Sequence, residues 1–320
     1  MMETVSFASP VLLLAAVCAA VMGYAIQRSG TCMVAAVDEL IEQRRAARLG
    51  ALAEAGLWVA GSVLLWRWMG GYVTLPIGYP PGLKSVLGGV LLGLGALCSG
   101  ACMFGAVARI GSGQWAFALT PLGYFLACAA VAPHVGARPA MTGAAPLLGA
   151  AWLLVPLALF ALWRMAEVLR AARAGQFGAH VWHPHHATTV IGLAFSVLLI
   201  AMGPWAYTSA LLALAQGRIM GLAIKLALFG VLLAGAVTGA WSAGQLHLQL
   251  APPRTALRCL VGGFLMGCGS LLVPGGNDEL VLLGLPMLQP YAALAAAGMV
   301  LAILAGRLAV RRPAPFPSAR

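Results

Sequence analysis

The sequence predicts an all-α integral membrane protein, and three observations lead to this fold class. Of the 320 residues, 62% are hydrophobic and only 8% are charged, whereas a soluble domain carries about 25% charged residues. Several apolar stretches approach the ~20 residues that a helix needs to cross a bilayer. The short alternating segments of a membrane β-barrel are absent from the sequence. We therefore predict about nine transmembrane helices, some of them broken into half-helices.

The predicted spans follow one another with short connections. They are Ser9–Ile26, Ala51–Met69, Ser85–Ile110, Trp115–Val131, Ala145–Trp163, Thr188–Met202, Leu222–Ser242, Leu257–Val273 and Pro290–Gly306. The first ten residues contain no Lys or Arg, so they lack the basic start of a signal peptide. We expect the first span to be retained as a transmembrane helix.

The net charge of +11 comes from Lys and Arg residues that lie mostly in short loops between the apolar segments. We use these loops to predict how the chain is oriented in the bilayer, and we expect no nucleic-acid partner. Short loops rich in Lys and Arg face the cytoplasm. The cytoplasmic set is Arg44, Arg45, Arg48, Arg164, Arg170, Arg173, Arg254, Arg258, Arg307, Arg311 and Arg312, and the poorer loops hold Lys84, Arg138 and Arg218. Nine crossings then place the N-terminus outside and the C-terminus in the cytoplasm.

Internal similarity predicts two halves, residues 1–163 and 188–320, joined by a cytoplasmic linker at 164–187. "GGVLLGLGAL" from Gly88 and "GGFLMGCGSL" from Gly262 share four glycines in register, and "VMGYAIQRSG" from Val21 weakly resembles "AMGPWAYTSA" from Ala201. With about five spans before the second copy, the copies face opposite ways, as in transporters that bind substrate near the midplane. The alternative is that these glycines merely allow close helix packing.

Four apolar segments are interrupted by polar, helix-breaking residues. They are "IQRSGTCMVAA" from Ile26, "LCSGACMFGA" from Leu97, "MGPWAYTSALL" from Met202 and "LVPGGNDELV" from Leu272. Lipid tolerates such backbone only where it is buried in protein or lines a cavity. Each interruption is predicted to join two half-helices, and the N-terminus of the second half-helix attracts anions. Gly100 would let a ligand approach closely, and Arg28 is the nearest candidate cation.

Two cysteines, Cys32 and Cys102, lie at corresponding points of the first two interruptions. A thiol is polarizable and a weak hydrogen-bonding group, so it suits a sulfur-terminated anion better than a hard oxyanion. Packing is the alternative role for both. Cys18, Cys128 and Cys259 lie in uninterrupted apolar segments and are predicted to be packing residues.

The stretches "GYAIQRSGTCMVAAVDEL" and "GGVLLGLGALCSGACMFGAVARIGSG" resemble the first two motifs of the YeeE/YedE family of bacterial membrane proteins. The resemblance implies uptake of thiosulfate through the cytoplasmic (inner) membrane. It also implies that Cys32 and Cys102 pass the anion along by S–H···S contacts, without covalent bonds, toward a small cytoplasmic sulfur-carrier protein.

The third motif departs from the family pattern, which reads glycine-cysteine-asparagine. Here the matching residues are Gly275-Gly276-Asn277, so that Gly276 replaces the third thiol. Cys268 lies eight residues earlier, about two helical turns away, and cannot simply substitute. Either the path uses two thiols, or the substrate is a different sulfur or selenium compound. The predicted substrate-binding residues are Arg28, Cys32, Cys98, Gly100, Cys102, Cys268, Gly276 and Asn277.

The acidic residues and the histidines are predicted to be solvated, with functional roles as alternatives. The acids of the two "DEL" triplets, Asp38-Glu39 and Asp278-Glu279, are predicted to be solvated at interfaces, with proton coupling or helix capping as the alternative. The histidines of "HVWHPHH", residues 180–186, are predicted to lie in the solvated linker, with metal binding as the alternative.

Transport is the predicted function, and no enzyme activity or cofactor is expected. The sequence has no nucleotide-binding phosphate loop and no haem or iron–sulfur ligand pattern. The alternative is a thiol-based membrane enzyme, a sulfurtransferase or oxidoreductase that uses Cys98 and Cys102, although their C-x3-C spacing differs from the C-x-x-C redox motif. A structural subunit of a membrane complex is the third possibility.

Overall fold

A computed structural model describes residues 9–135, 145–218, 221–249 and 252–310, and most of this chain is helical. The first seven helices are α1 Pro10–Ser29, α2 Met33–Glu42, α3 Ala47–Trp68, α4 Leu83–Ser99, α5 Met103–Gly111, α6 Leu119–Val131 and the short α7 Pro146–Gly149. The others are α8 Leu154–Arg173, α9 Phe177–Val181, α10 Pro184–Met202, α11 Tyr207–Ala215, α12 Leu222–Ser242, α13 Pro253–Leu272, α14 Asn277–Glu279 and α15 Pro290–Val310. A π-helical segment, Leu280–Gly284, follows α14.

Nine helical segments within these ranges are long and apolar enough to cross a membrane. The pairs α1–α2 and α4–α5 each form one such segment. The predicted fold class, an all-α membrane protein with about nine transmembrane helices, is therefore confirmed. Arg138, Arg311 and Arg312, which contribute to the predicted orientation, lie outside the described residues.

All four predicted interruptions are helix breaks. α1 ends at Gly30 with φ 59°, and α4 ends at Gly100 with φ 75°. The other two breaks contain Gly203 with φ 88° and Gly275 with φ 104°. Only glycine adopts these positive φ values without strain. The expectation of broken helices is confirmed.

The glycines shared by the two halves lie where α4 crosses α13. A Cβ on Gly95 would lie 2.5 Å from the carbonyl oxygen of Gly262, and a Cβ on Gly88 would lie 2.8 Å from that of Gly269. This pairing makes α4 and α13 antiparallel. The remaining four glycines face the neighbouring helices: Gly89 and Gly93 lie against α15, and Gly263 and Gly267 lie against α6.

The weaker sequence match does not align equivalent positions. It pairs Gly23 with Gly203, but Gly23 lies within α1 against α12 and Gly203 ends α10. The residue of the first half that occupies the corresponding break is Gly30. The inverted relation of the two complete halves remains a prediction.

The helix α8 lies at the periphery of the bundle, since no residue of its most apolar stretch is buried. It continues through Arg173, so the predicted linker at 164–187 begins inside α8 and ends inside α10. A partly buried ionic cluster links α8 to α3 and α10. Arg164 pairs with Glu54 of α3 through Nε at 2.8 Å, and His185 of α10 lies 2.7 Å from the same carboxylate. With 27% of its side chain exposed, this histidine is only partly solvated.

Candidate functional site

The two predicted path cysteines meet at the heads of two half-helices. Cys32 is the N-cap of α2 and Cys102 is the N-cap of α5. The Cys102 N–H donates to Cys32 Sγ at 3.3 Å, and the Met33 N–H donates to Cys102 Sγ at 3.3 Å. The two thiols also interact with each other. Each half-helix therefore presents its first N–H groups to the other's sulfur.

A repeated local sequence produces this arrangement. The pattern Ser-Gly-x-Cys-Met occurs at residues 29–33 and 99–103, and in both copies the serine hydroxyl donates to the carbonyl three residues earlier, at 3.2 Å and 3.3 Å. Gly105 makes room for the contact, because a Cβ there would lie 2.8 Å from Cys32 Sγ. Two copies of one turn thus place two thiols side by side.

The third motif reaches the same place from the other half of the chain. Asn277, the first residue of α14, accepts a hydrogen bond from the Met103 N–H through Oδ1 at 3.1 Å. Its side chain is 1% exposed, and Nδ2 has no hydrogen-bond partner among the described residues. The site therefore contains a buried amide donor that is free to bind an acceptor atom.

The head of α11 completes the site. The Thr208 hydroxyl donates to Asp278 Oδ1 at 2.6 Å, and the Tyr207 hydroxyl donates to the Met103 carbonyl oxygen at 2.7 Å. The N-termini of α2, α5, α11 and α14 consequently meet at one point. Asp278 is 3% exposed, so the expectation that it is solvated is wrong. Asp38 of the first triplet instead pairs with Arg307 at 2.7 Å.

A cavity of about 220 Å³ opens beside Cys32. Its lining includes three hydroxyl side chains, Ser29, Thr31 and Thr188. Thr31 is hydrogen-bonded to Ser29 and, at 3.0 Å, to Thr188. Arg48 also lines the cavity and donates to the Gly30 carbonyl oxygen at 3.1 Å. The cavity thus combines one sulfur, a row of hydroxyls, the Arg48 cation and the Glu39 carboxylate, which lies 3.9 Å from Arg48 Nε.

A second cavity, of about 370 Å³, lies beside the third helix break and includes Trp205 and Lys225. The two cavities occupy opposite ends of the same helices. Val11 of α1 and Met202 of α10 line this cavity, whereas Ser29 of α1 and Pro184 of α10 line the cavity beside Cys32. Eighteen helical residues separate Val11 from Ser29, about 27 Å.

Four other residues were predicted to bind the substrate, namely Arg28, Cys98, Gly100 and Cys268. Cys98 is half-buried and its thiol contacts the Arg258 carbonyl oxygen at 3.7 Å, and Cys268 is half-buried on α13. Arg28 is half-buried in the last turn of α1, and its Nε has no hydrogen-bond partner among the described residues. A Cβ on Gly100 would meet nothing within 4 Å.

Cys102 itself has no exposed surface, whereas Cys32 lines the cavity of about 220 Å³. That the two cysteines line one path stays a prediction. Neither Cys102 nor Asn277 lines either of the two cavities, so the described chain is closed at these two buried residues.

Sequence reasoning missed two groups of residues near the site. One is Thr208, which pairs with Asp278, and the other is the ionic cluster around Glu54, whose carboxylate also accepts from Thr189 at 3.2 Å. A signal for Glu54 was present, because it is an acid within an apolar span, and intramembrane acids are expensive and usually functional. No pattern linked Thr208 to Asp278, since they are 70 residues apart.

The fold and the site define a polytopic membrane transporter, in which broken helices from both parts of the chain meet at a buried, partly polar centre. The chain belongs to the YeeE/YedE sulphur transport family, because the family model described as Sulphur transport matches residues 28–305. None of the curated proteins compared with the chain matches it. Membership supports transport of a sulfur compound and agrees with the sequence resemblance.

Proposed function

We propose that the protein takes up a small sulfur-containing anion, thiosulfate above all, through the cytoplasmic membrane. The observation that carries this proposal is the contact between Cys32 and Cys102 at the heads of α2 and α5. Two half-helix N-termini together supply about one unit of positive charge. They therefore attract an anion, while the two sulfurs favour one with a polarizable end.

Thiosulfate fits the cavity beside Cys32 because it has one soft sulfur and three hard oxygens. Its sulfur would contact the Cys32 thiol. Thr31 and Thr188 would turn their hydroxyls from their present acceptors and donate to the oxygens of the anion. Hydrogen bonds to a charged acceptor are the stronger kind. Sulfate, which has no soft end, would use only half of this site.

In the proposed path the anion passes from the cavity beside Lys225 to the cavity beside Cys32. At the closed centre, the free Nδ2 of Asn277 would donate to an oxygen of the anion, and Cys102 would then pass the sulfur to Cys32 by S–H···S contacts. No covalent bond forms. A small cytoplasmic sulfur carrier would receive the anion beside Arg48.

The electrical work sets a condition on this path. Moving a dianion into an inside-negative cell costs about 4.6 kcal/mol per 100 mV, at about 2.3 kcal/mol for each charge. Uptake therefore requires either rapid consumption of the anion inside or coupling to another ion.

Uptake of labelled thiosulfate into liposomes that contain only this protein tests the proposal. Cys102→Ala and Cys32→Ala are expected to abolish uptake, because each removes a sulfur from the only thiol pair in contact within the described chain. Cys18→Ala is the matched control, since Cys18 is a buried packing residue of α1, and its uptake should equal that of the wild type. Thermal unfolding of each variant checks that it is folded. Normal uptake by folded Cys102→Ala would remove this cysteine from the mechanism.

Competition by sulfite, sulfate, selenite and sulfide identifies the preferred anion. Sulfate should compete least, because it lacks a soft end. The enzyme alternative predicts turnover in detergent, without compartments. It requires Cys98 to act with Cys102, but the Cys98 thiol contacts Arg258 and Cys102 contacts Cys32.

A further inference from the structure

We infer that Asp278 is the proton-binding site of a transporter that carries one proton inward with each anion. The inference rests on the proposed function and adds the coupling ion to it. Asp278 lies one residue from Asn277 at the closed centre, and only 3% of it is exposed.

The environment of Asp278 is unlike that of the other acids with assigned partners. Glu54 pairs with Arg164, and Asp38 pairs with Arg307. Within the described chain, no Lys or Arg forms an ion pair with Asp278. Its oxygens instead accept from the Thr208 hydroxyl at 2.6 Å and the Thr208 N–H at 3.5 Å, and they also contact the backbone N–H groups of Asp278 and Glu279. A buried carboxylate that has no cation is costly, so the neutral form is accessible.

The carboxylate also occupies a place that an anionic substrate would need. Thr208 is the second residue of α11, so Asp278 rests on one of the positive helix ends that converge at the centre. An incoming anion at Asn277 would meet the Asp278 charge one residue away, in surroundings that screen it poorly. Protonation removes that repulsion. Proton binding and anion binding therefore strengthen each other, and this coupling is reciprocal.

The other titratable groups around Asp278 come from every helix packed against it. Glu279 follows it on α14, and Glu279 in turn interacts with Ser209 and with Lys225 of α12. Tyr207 of α11 and Tyr124 of α6 lie within electrostatic range of Asp278, and Cys102 of α5 lies within range of Tyr207. Lys225 is the only cation in this set, and it lies beside the neighbouring carboxyl. Among the described residues, Asp278 thus remains an acid without a Lys or Arg partner.

The test uses the full chain in liposomes, with the membrane potential held at zero by potassium and valinomycin. Labelled thiosulfate is added outside, with the outside more acidic, and a pH-sensitive dye is trapped inside. For one proton per anion, the accumulation ratio should rise about tenfold for each unit of pH difference. Thiosulfate addition should also acidify the interior.

Asp278→Asn should lose both effects and equilibrate thiosulfate to a ratio near one, while it still exchanges labelled for unlabelled thiosulfate across the membrane. Asp38→Asn is the matched control from the equivalent triplet position and should keep the tenfold response. A tenfold response retained by Asp278→Asn would overturn the inference.

The dye measurement on the wild type does not depend on whether any variant folds. Thiosulfate uptake by the wild type without proton influx would overturn the inference and leave the proposed function standing. Absence of thiosulfate uptake by the wild type would overturn both.

Discussion

The four residues at the N-cap positions of the half-helices decide what each helix end offers to a ligand. Two of them are Cys32 and Cys102, and the other two are Ala206 and Gly276. The first half of the chain therefore presents sulfur. The second half has no polar side chain at its two N-cap positions. Asn277, the residue after Gly276, supplies an amide instead. Gly276, in place of the third thiol that the family pattern implies, removes a soft contact from that end of the site, and the Asn277 amide remains there.

Gly276→Cys, which introduces the family's third thiol, is expected to destabilise this protein without improving uptake. A Cβ at Gly276 would lie 2.6 Å from Thr208 Oγ1 and 2.5 Å from Asp278 Oδ1. The backbone of Gly276 is extended, with φ −75°, so the obstacle is space and not conformation. Overpacking a buried site costs about 1–3 kcal/mol. Thermal unfolding and thiosulfate uptake measure the two effects.

Two further variants make this prediction specific. Thr208→Ala combined with Gly276→Cys removes the two Thr208 atoms that a Cβ would meet, at 2.6 Å and 2.7 Å, although Asp278 Oδ1 stays, and it should recover part of the lost Tm. Gly178→Cys is the control, because a Cβ at Gly178 meets nothing within 4 Å. If Gly276→Cys kept the wild-type Tm and raised thiosulfate uptake, the site would accept a thiol and the steric argument would be wrong.

The sequence predicted the individual site residues better than their partners. Cys32, Cys102 and Asn277 each follow a glycine-containing break in an apolar segment, which singles them out. The same reasoning placed Asp278 in solvent, because a polar residue beside a break has the same local sequence whether it is buried or exposed. Only the approach of α11 to α14 determines that Thr208 buries it.

At the scale of the helices, the shared glycines hold α4 and α13 together. Gly88 faces Gly269 and Gly95 faces Gly262, so equivalent positions of the two matching segments exchange contacts. We propose that the two halves are related by an inverted pseudo-two-fold axis through this crossing. The antiparallel course of α1 and α10 between the two cavities supports the proposal.

Gly95→Ala is expected to weaken this crossing. The added Cβ would lie 2.5 Å from the Gly262 carbonyl oxygen and 2.8 Å from the Met266 nitrogen. These are backbone atoms, so relief requires the two helices to separate. We expect a loss of about 1–3 kcal/mol, measured as a lower Tm in detergent. Gly230→Ala on α12 is the control, because its Cβ meets nothing within 4 Å and alanine favours a helix. Equal Tm values for the two variants would contradict the role of the crossing.

The helix breaks were predictable because lipid cannot satisfy irregular backbone, so glycine and polar residues inside an apolar run identify them. Helix ends in the aqueous region were less predictable. The fifth predicted span ends at Trp163, yet α8 continues through Arg173. Basic residues such as Arg170 and Arg173 resemble a loop, but they are also good helix formers at the membrane surface.

At the scale of the whole molecule, α1 and α10 both extend from one cavity to the other. The cavity beside Cys32 is lined by Arg48, His183 and His185, and the other cavity contains Lys225. The ionic cluster beside the first cavity joins Glu54, Arg164 and His185. These three residues come from three helices that are distant in sequence, so no local pattern predicts their meeting.

The positions of the two cavities relate the orientation of the chain in the membrane to the direction of transport. This gives a prediction about the whole chain. If the basic loops face the cytoplasm, the cavity beside Cys32 opens to the cytoplasm, because Arg48 lines it. A cysteine introduced at Tyr72, which is 77% exposed and lines the other cavity, should react with a membrane-impermeant maleimide in intact cells. A cysteine introduced at the exposed Arg45 should react only after permeabilisation. The unsubstituted protein measures any background from its own cysteines. The reverse labelling pattern would place Cys32 on the outside, and the proposed direction of sulfur movement from Asn277 through Cys102 to Cys32 would then be export.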